Sequence, residues 1–135
     1  MEIVLTNQPA QRQRLLTALE AFAREHHLPA AVRRAADLAL EEHLTNIRNY
    51  AYENGSRHSI RVRLEVESGY LTVEVEDDGK AFDPLQVPPA NTSLPLEKKP
   101  VGGLGIHLIR KFMDDVHYRR EADKNILRMR KRLDG

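Results

Sequence analysis

The segment Ile60-Arg61-Val62-Arg63-Leu64-Glu65-Val66-Glu67-Ser68-Gly69-Tyr70-Leu71-Thr72-Val73-Glu74-Val75-Glu76 decides the architecture. Apolar residues hold alternate positions on both sides of Ser68-Gly69, with Arg, Glu and Thr between them, which is the period of a strand with one wet face. Two such runs around a Ser-Gly turn make a β-hairpin, so their strands are antiparallel neighbours. Upstream, Asn54-Gly55 reads as a turn ending a long helix from Ala30 to about Ala51, with Val32, Ala36, Leu40, Leu44 and Ile47 at helical spacing. Leu28-Pro29 separates that helix from an earlier one reaching about His27, whose buried stripe is Leu15, Leu16, Leu19, Phe22 and Ala23. Asn7 and Pro9 read as its cap and first turn, after a short strand from Glu2 to Thr6.

Downstream, Asp77 to Pro100 is Asp, Gly, Pro, Asn and Ser without periodicity, and a loop of that length inside a compact domain is usually functional, commonly a lid. A third helix is expected from about Gly105 to Asp115, then strands Val116 to Glu121 and Asn125 to Leu133 around the turn Ala122-Asp123-Lys124. The order β α α β β, loop, α β β excludes an all-parallel sheet. The expected class is α/β, a two-layer sandwich with a mixed, largely antiparallel sheet and helices on one face.

The 135 residues, 41% apolar and 30% charged, suit one globular domain over residues 1–135. A formal net charge of +1 gives no bulk attraction to nucleic acid or anionic membrane, so neither is an expected partner. With no cysteine, disulfides and thiolate metal sites are excluded; no apolar run approaches the roughly 18 residues of a membrane span, and Met1 opens without a signal-peptide pattern. A cytoplasmic location is expected. The tail carries Arg119, Arg120, Lys124, Arg128, Arg130, Lys131 and Arg132, read as charges blunting edge strands, with docking of an acidic partner as the alternative. His26, His27 and His43 lack the further His or Cys that a metal site needs and read as surface or helix-end residues.

Three clusters carry chemistry. On the long helix Ala35, Ala39, Glu42, Asn46 and Asn49 share one side, so a carboxylate and an amide stand one turn apart, as a general base and an oxygen ligand for a hard cation would. A solvated helix face is the plain alternative. Val75-Glu76-Asp77-Asp78-Gly79-Lys80-Ala81-Phe82-Asp83-Pro84 runs a strand into acids and a glycine, either an ordinary turn or an acceptor for the exocyclic amine of a base. Gly102-Gly103-Leu104-Gly105 opens a helix, either as a hinge or as a loop that frees backbone N–H groups for phosphate.

Taken together, Glu42-x-x-x-Asn46, Asp77-x-Gly79-x-Ala81 and Gly103-x-Gly105 resemble the three nucleotide-binding boxes of the GHKL (Bergerat-fold) ATPases. Glu42-His43-Leu44-Thr45-Asn46 with Tyr50-Ala51-Tyr52, Asp78-Gly79-Lys80-Ala81-Phe82-Asp83-Pro84 and Gly102-Gly103-Leu104-Gly105-Ile106-His107-Leu108-Ile109-Arg110-Lys111-Phe112-Met113-Asp114-Asp115-Val116 are similar to the anti-sigma-factor serine kinases of that superfamily. The resemblance spans nearly the whole chain. It implies that Glu42 is the general base, that Asn46 ligates Mg²⁺, and that Asp77 accepts from the adenine amino group. Gly79 and Ala81 would let the adenine edge lie against the loop, with Asn49 and Phe82 beside the nucleotide. Gly102, Gly103, Leu104, Gly105 and Ile106 would cradle the phosphates, with Lys98 supplying positive charge, under a lid from about 85 to 101.

Four positions depart from the family pattern. Ala81 stands where many relatives have a second glycine, Tyr50 replaces a frequent His, and Gly103 stands where an Arg is often found. Arg128 lies roughly where the superfamily often has a Thr beside the adenine. The resemblance implies an ATP- and Mg²⁺-dependent protein serine kinase and anti-sigma factor. Its implied partners are a STAS-domain anti-anti-sigma protein, a sigma factor and a second copy of itself. The alternative is a nucleotide-binding regulatory module that sequesters a partner without phosphoryl transfer. A histidine kinase would need a dimerisation helix pair before the nucleotide domain, which the stretch before Ala30 does not accommodate.

Overall fold

The computed structural model describes residues 1–51, 58–86 and 103–134. Five strands, β1 (Glu2–Thr6), β2 (Ser59–Glu67), β3 (Tyr70–Asp77), β4 (Asp115–Glu121) and β5 (Lys124–Arg132), form one sheet in the order β1-β2-β3-β5-β4. Helices α1 (Arg12–Glu25), α2 (Ala30–Asn46) and α3 (Gly103–Phe112) complete the two-layer α/β fold. Every strand pairing in it is antiparallel, where a mixed, largely antiparallel sheet was expected.

The hairpin sits where its alternation places it. Ser68 and Gly69 both take positive φ, 54° and 82°, the geometry of a two-residue turn whose twist matches the flanking strands. Ile60, Val62, Leu64, Leu71, Val73 and Val75 are buried, while their neighbours point outward. Arg61 lies directly opposite Glu76 and Arg63 opposite Glu74, with N–O separations of 3.4 and 3.9 Å. Such cross-strand pairs reinforce the register weakly, at about 0.2–1 kcal/mol each. The inner face packs on Leu15, Leu19 and Phe22 of α1, on Val32, Ala36, Leu40 and Leu44 of α2, and on Ile109 at the end of α3.

Three local readings are corrected. Asn7 does not cap α1: its Oδ1 accepts from the backbone N–H of His58 at 3.0 Å and its own N–H donates to the His58 carbonyl, so it prolongs the β1–β2 pairing. A 3₁₀ turn, Pro9–Gln11, then starts the helix. Helix α3 runs from Gly103 to Phe112 rather than to Asp115, because the Asp114 N–H already donates to the Arg130 carbonyl and Asp115 is the first residue of β4. Third, α2 gives way at Ile47–Ala51 to a π turn, a widened helical turn that recurs at functional sites.

The basic tail does not blunt edge strands as expected: only Arg119 and Arg120 lie on the edge strand β4, while Lys124, Arg128, Arg130, Lys131 and Arg132 lie on β5, which is paired on both sides, and several of these charges meet carboxylates within the fold. Arg130 reaches Asp115 Oδ2 through Nε and Nη2 at 3.1 and 2.9 Å, Arg119 meets Glu121 at 3.1 Å, and Lys124 and Lys131 approach Glu76 and Asp114. None of the described helices is long and apolar enough to cross a membrane.

Candidate functional site

Asp77 ends β3 with only 2% of its surface exposed. Its Oδ1 accepts two hydrogen bonds, from the Gly79 N–H at 2.9 Å and from Asn125 Nδ2 at 3.0 Å, and Oδ2 has no hydrogen-bond partner among the described residues. The carboxylate is therefore held by one oxygen and presents the other as a free acceptor. Burial pushes its pKa up; the Asn125 and Gly79 hydrogen bonds oppose that shift. An acceptor fixed in this way suits the amino group of a base, as the Asp77 reading requires.

Gly79 is needed for space. Its φ is not positive, but a Cβ built on it would lie 2.5 Å from the Ala51 carbonyl oxygen and 2.7 Å from the Ala51 Cβ. The π turn is what brings Ala51 there, and the same carbonyl accepts from the Lys80 N–H at 2.9 Å. The end of the long helix and the loop after β3 are thus one unit. Ala81 takes no positive φ either, so the missing second glycine costs no backbone strain. Phe82 is half-buried, its N–H donating to Asn125 Oδ1 at 3.2 Å.

Along α2, Glu42 is half-buried and Asn46 is buried at 2% exposure, one turn on. Asn46 Oδ1 is a buried oxygen with no hydrogen-bond partner among the described residues. Orphaned buried oxygens are rare and call for a ligand, and a carbonyl oxygen is what Mg²⁺ takes. Asn49 is exposed within the π turn. His43, between Glu42 and Asn46, lies in the last turn of α2, a helix-end position, but is buried rather than on the surface: desolvation lowers its pKa to about 4, and Nδ1 has no partner among the described residues. No group of three or more His, Cys, Asp or Glu able to hold a metal occurs among the described residues.

Gly103, Leu104, Gly105 and Ile106 form the first turns of α3, which packs beside α2, so the helix N-terminus lies in the same layer as Glu42 and Asn46. Lys98, Gly102 and the expected lid beyond Gln86 lie outside the described residues.

The residue that motif reading missed is Asn125. It is buried, opposite Asp77 in the β3–β5 register, and makes five contacts: Nδ2 donates to Asp77 and to the Lys80 carbonyl at 2.8 Å, while Oδ1 accepts from Phe82 N–H, Tyr118 Oη and Arg120 Nη1. Arg120 Nη1 also donates to the Gly79 carbonyl at 2.8 Å. Arg128, placed beside the adenine by sequence, is instead exposed and opposite Glu74, three residues further along the strand. The available signal was phase: Asn125 shares the inward parity of Leu127 and Met129, and a polar residue there must have buried partners.

Residues 5–131 match the model of the histidine kinase-like ATPase domain. The chain belongs to that family. Membership in it implies ATP or ADP as a ligand. The ATPase domain is 29% identical over 109 residues to the serine/threonine-protein kinase BtrW of Bordetella bronchiseptica, covering 81% of this chain and 77% of that protein. It is 32% identical over 99 residues to an anti-sigma F factor of Clostridium botulinum, covering 70% and 67%. The anti-sigma-factor kinase resemblance of its motifs thus extends to named relatives over most of the chain. In fold it matches the RsbU and RsbW domains of Rv1364c from Mycobacterium tuberculosis, with a TM-score of 0.65 at 11% identity over 98% of this chain and 31% of that one.

Proposed function

We propose that this ATPase domain is an ATP- and Mg²⁺-dependent protein serine kinase that acts as an anti-sigma factor and phosphorylates a STAS-type anti-anti-sigma partner. The observation that carries it is the buried, unpartnered Oδ1 of Asn46 one turn from the half-buried carboxylate of Glu42. A hard-cation ligand beside a general base is the pair that phosphoryl transfer to a hydroxyl needs. The named relatives, a serine/threonine-protein kinase and an anti-sigma F factor, support the same reading.

In it, Asp77 Oδ2 accepts from the adenine amino group, and Gly79 and Ala81 leave the loop flat enough for the ring. Asn46 holds the cation through Oδ1, and bound Mg²⁺ would neutralise phosphate charge. The backbone N–H groups from Gly102 to Ile106 cradle the phosphates, where the dipole of α3 favours negative charge. Glu42 takes the proton from the acceptor serine as its oxygen attacks the γ-phosphorus; the bond from that phosphorus to the β–γ bridging oxygen breaks, and ADP leaves. Lys98 and the segment from about 85 to 101 close over the nucleotide. A sigma factor, the STAS protein and a second copy of the chain are the partners, in the cytoplasm.

The test is incubation with Mg²⁺, ATP and the STAS protein encoded nearby. Phosphoserine on that protein, read by mass spectrometry, is the expected result. Tight ADP binding with no transfer to it would instead assign a regulatory module that sequesters its partner.

A further inference from the structure

Helices α2 and α3 leave an apolar groove that the nucleotide site does not use. It has a volume of about 310 Å³ and is lined by Ala31, Val32, Ala35 and Leu38 of α2, with Phe112 of α3 opposite. Leu38 is 40% exposed and Leu108, one turn before Phe112, is 37% exposed; among the described residues Met1 and Val4 are the other large apolar side chains exposed to that degree. Exposed apolar side chains on adjoining helices, around a recess, mark a contact surface rather than scatter. Three cations rim it: Arg34, Lys111 and Lys131. Lys131 has Asp114 at 3.8 Å, whereas Arg34 and Lys111 are exposed and have no ion pair among the described residues. No carboxylate is among the residues that line the groove.

We propose that this groove docks an amphipathic helix of another protein whose apolar anchors are flanked by Asp and Glu. Anchors at a spacing of three and four residues match the α2 wall, where Ala31, Ala35 and Leu38 recur at that spacing. Acidic flanks match Arg34 and Lys111, which would steer and register the partner. A membrane surface fits less well, since the apolar floor is recessed between two helices rather than protruding. Nucleic acid fits less well again, with three cations around an apolar floor and a net charge of +1. The inference stands whether or not the domain transfers phosphate.

The experiment uses the full chain, ¹⁵N-labelled, titrated with a synthetic amphipathic peptide carrying Leu at every third and fourth position and Glu on its flanks, and with its Lys-for-Glu counterpart. Amide shifts confined to Ala31–Leu38 and Leu108–Phe112, seen with the acidic peptide only and weakening with salt, are expected. The double variant Arg34→Glu, Lys111→Glu should lose about tenfold in affinity, and Leu38→Glu as much, since these exposed positions tolerate charge. ADP affinity, read by calorimetry, should stay unchanged in both. Equal binding of the two peptides, no shift at these amides up to about 1 mM peptide, or shifts elsewhere would overturn the proposal. So would Arg34- and Lys111-dependent flotation with phosphatidylglycerol vesicles or binding of duplex DNA in place of the peptide.

Discussion

Replacing Asn125 by Asp changes one atom's hydrogen-bonding sense and nothing in volume. Nδ2, which donates to Asp77 Oδ1 at 3.0 Å and to the Lys80 carbonyl at 2.8 Å, becomes an oxygen facing two oxygens. Two carboxylates about 4 Å apart at an effective dielectric constant near 20 repel by about 4 kcal/mol. The lost charge-assisted bond to Asp77 adds about 1.5–3 kcal/mol, and the Arg120 guanidinium 3.1 Å from Asn125 Oδ1 offsets part of the total. The pair escapes by binding a proton, whose O–H restores the missing donor. Burial already raises the Asp77 pKa, so the upper titration of the pair moves well above the ordinary carboxylate range.

A group with a raised folded pKa contributes stability below its unfolded value and loses it as pH rises through the folded one. The deficit of Asn125→Asp against the parent should therefore be small near pH 4 and grow to about 4 kcal/mol by pH 8. Asn125→Ala, which adds no charge, should show a loss nearly independent of pH. Urea denaturation of all three proteins across that range reads the difference, from which any shared titration cancels. Parallel curves for parent and Asn125→Asp would refute the reasoning, and with it the role of Asn125 in holding Asp77.

Gly79→Ala drives a methyl group to within 2.5 Å of a backbone oxygen, so it should separate the loop from the π turn and raise the Kd for ADP by at least about tenfold in calorimetry. His43 is neutral in the fold with a pKa of about 4 against 6.5 unfolded, so the parent should lose up to about 3 kcal/mol as pH falls from 6.5 to 4. His43→Leu should flatten that slope in denaturation curves taken at pH 4.5 and 7.5. Glu42→Gln should lower phosphoryl transfer by about 10²–10⁴ with ADP affinity nearly intact, while Asn46→Ala should lower both transfer and Mg²⁺-dependent nucleotide affinity. Wild-type transfer by Glu42→Gln would remove it as the base.

Local periodicity was enough for the elements. Period-two alternation around Ser68-Gly69 and the stripes of the first two helices are nearest-neighbour patterns, and the strands and helices formed within a few residues of where those patterns place them. The clusters were legible for the same reason, since Glu42 and Asn46 sit one helical turn apart and Gly79 follows two residues after Asp77 at the end of β3. Contacts between distant segments were not written locally. That β1 lies antiparallel to β2, that Asn7 pairs with His58 instead of capping α1, and that Arg128 faces outward while Asn125 grips Asp77 all depend on register across the sheet. The π turn adds a widened turn to a helix that reads as continuous in sequence, and that turn places the Ala51 carbonyl against Gly79. Side-chain period tells a residue which face it takes; only the closed sheet and the packed helices decide what it meets there.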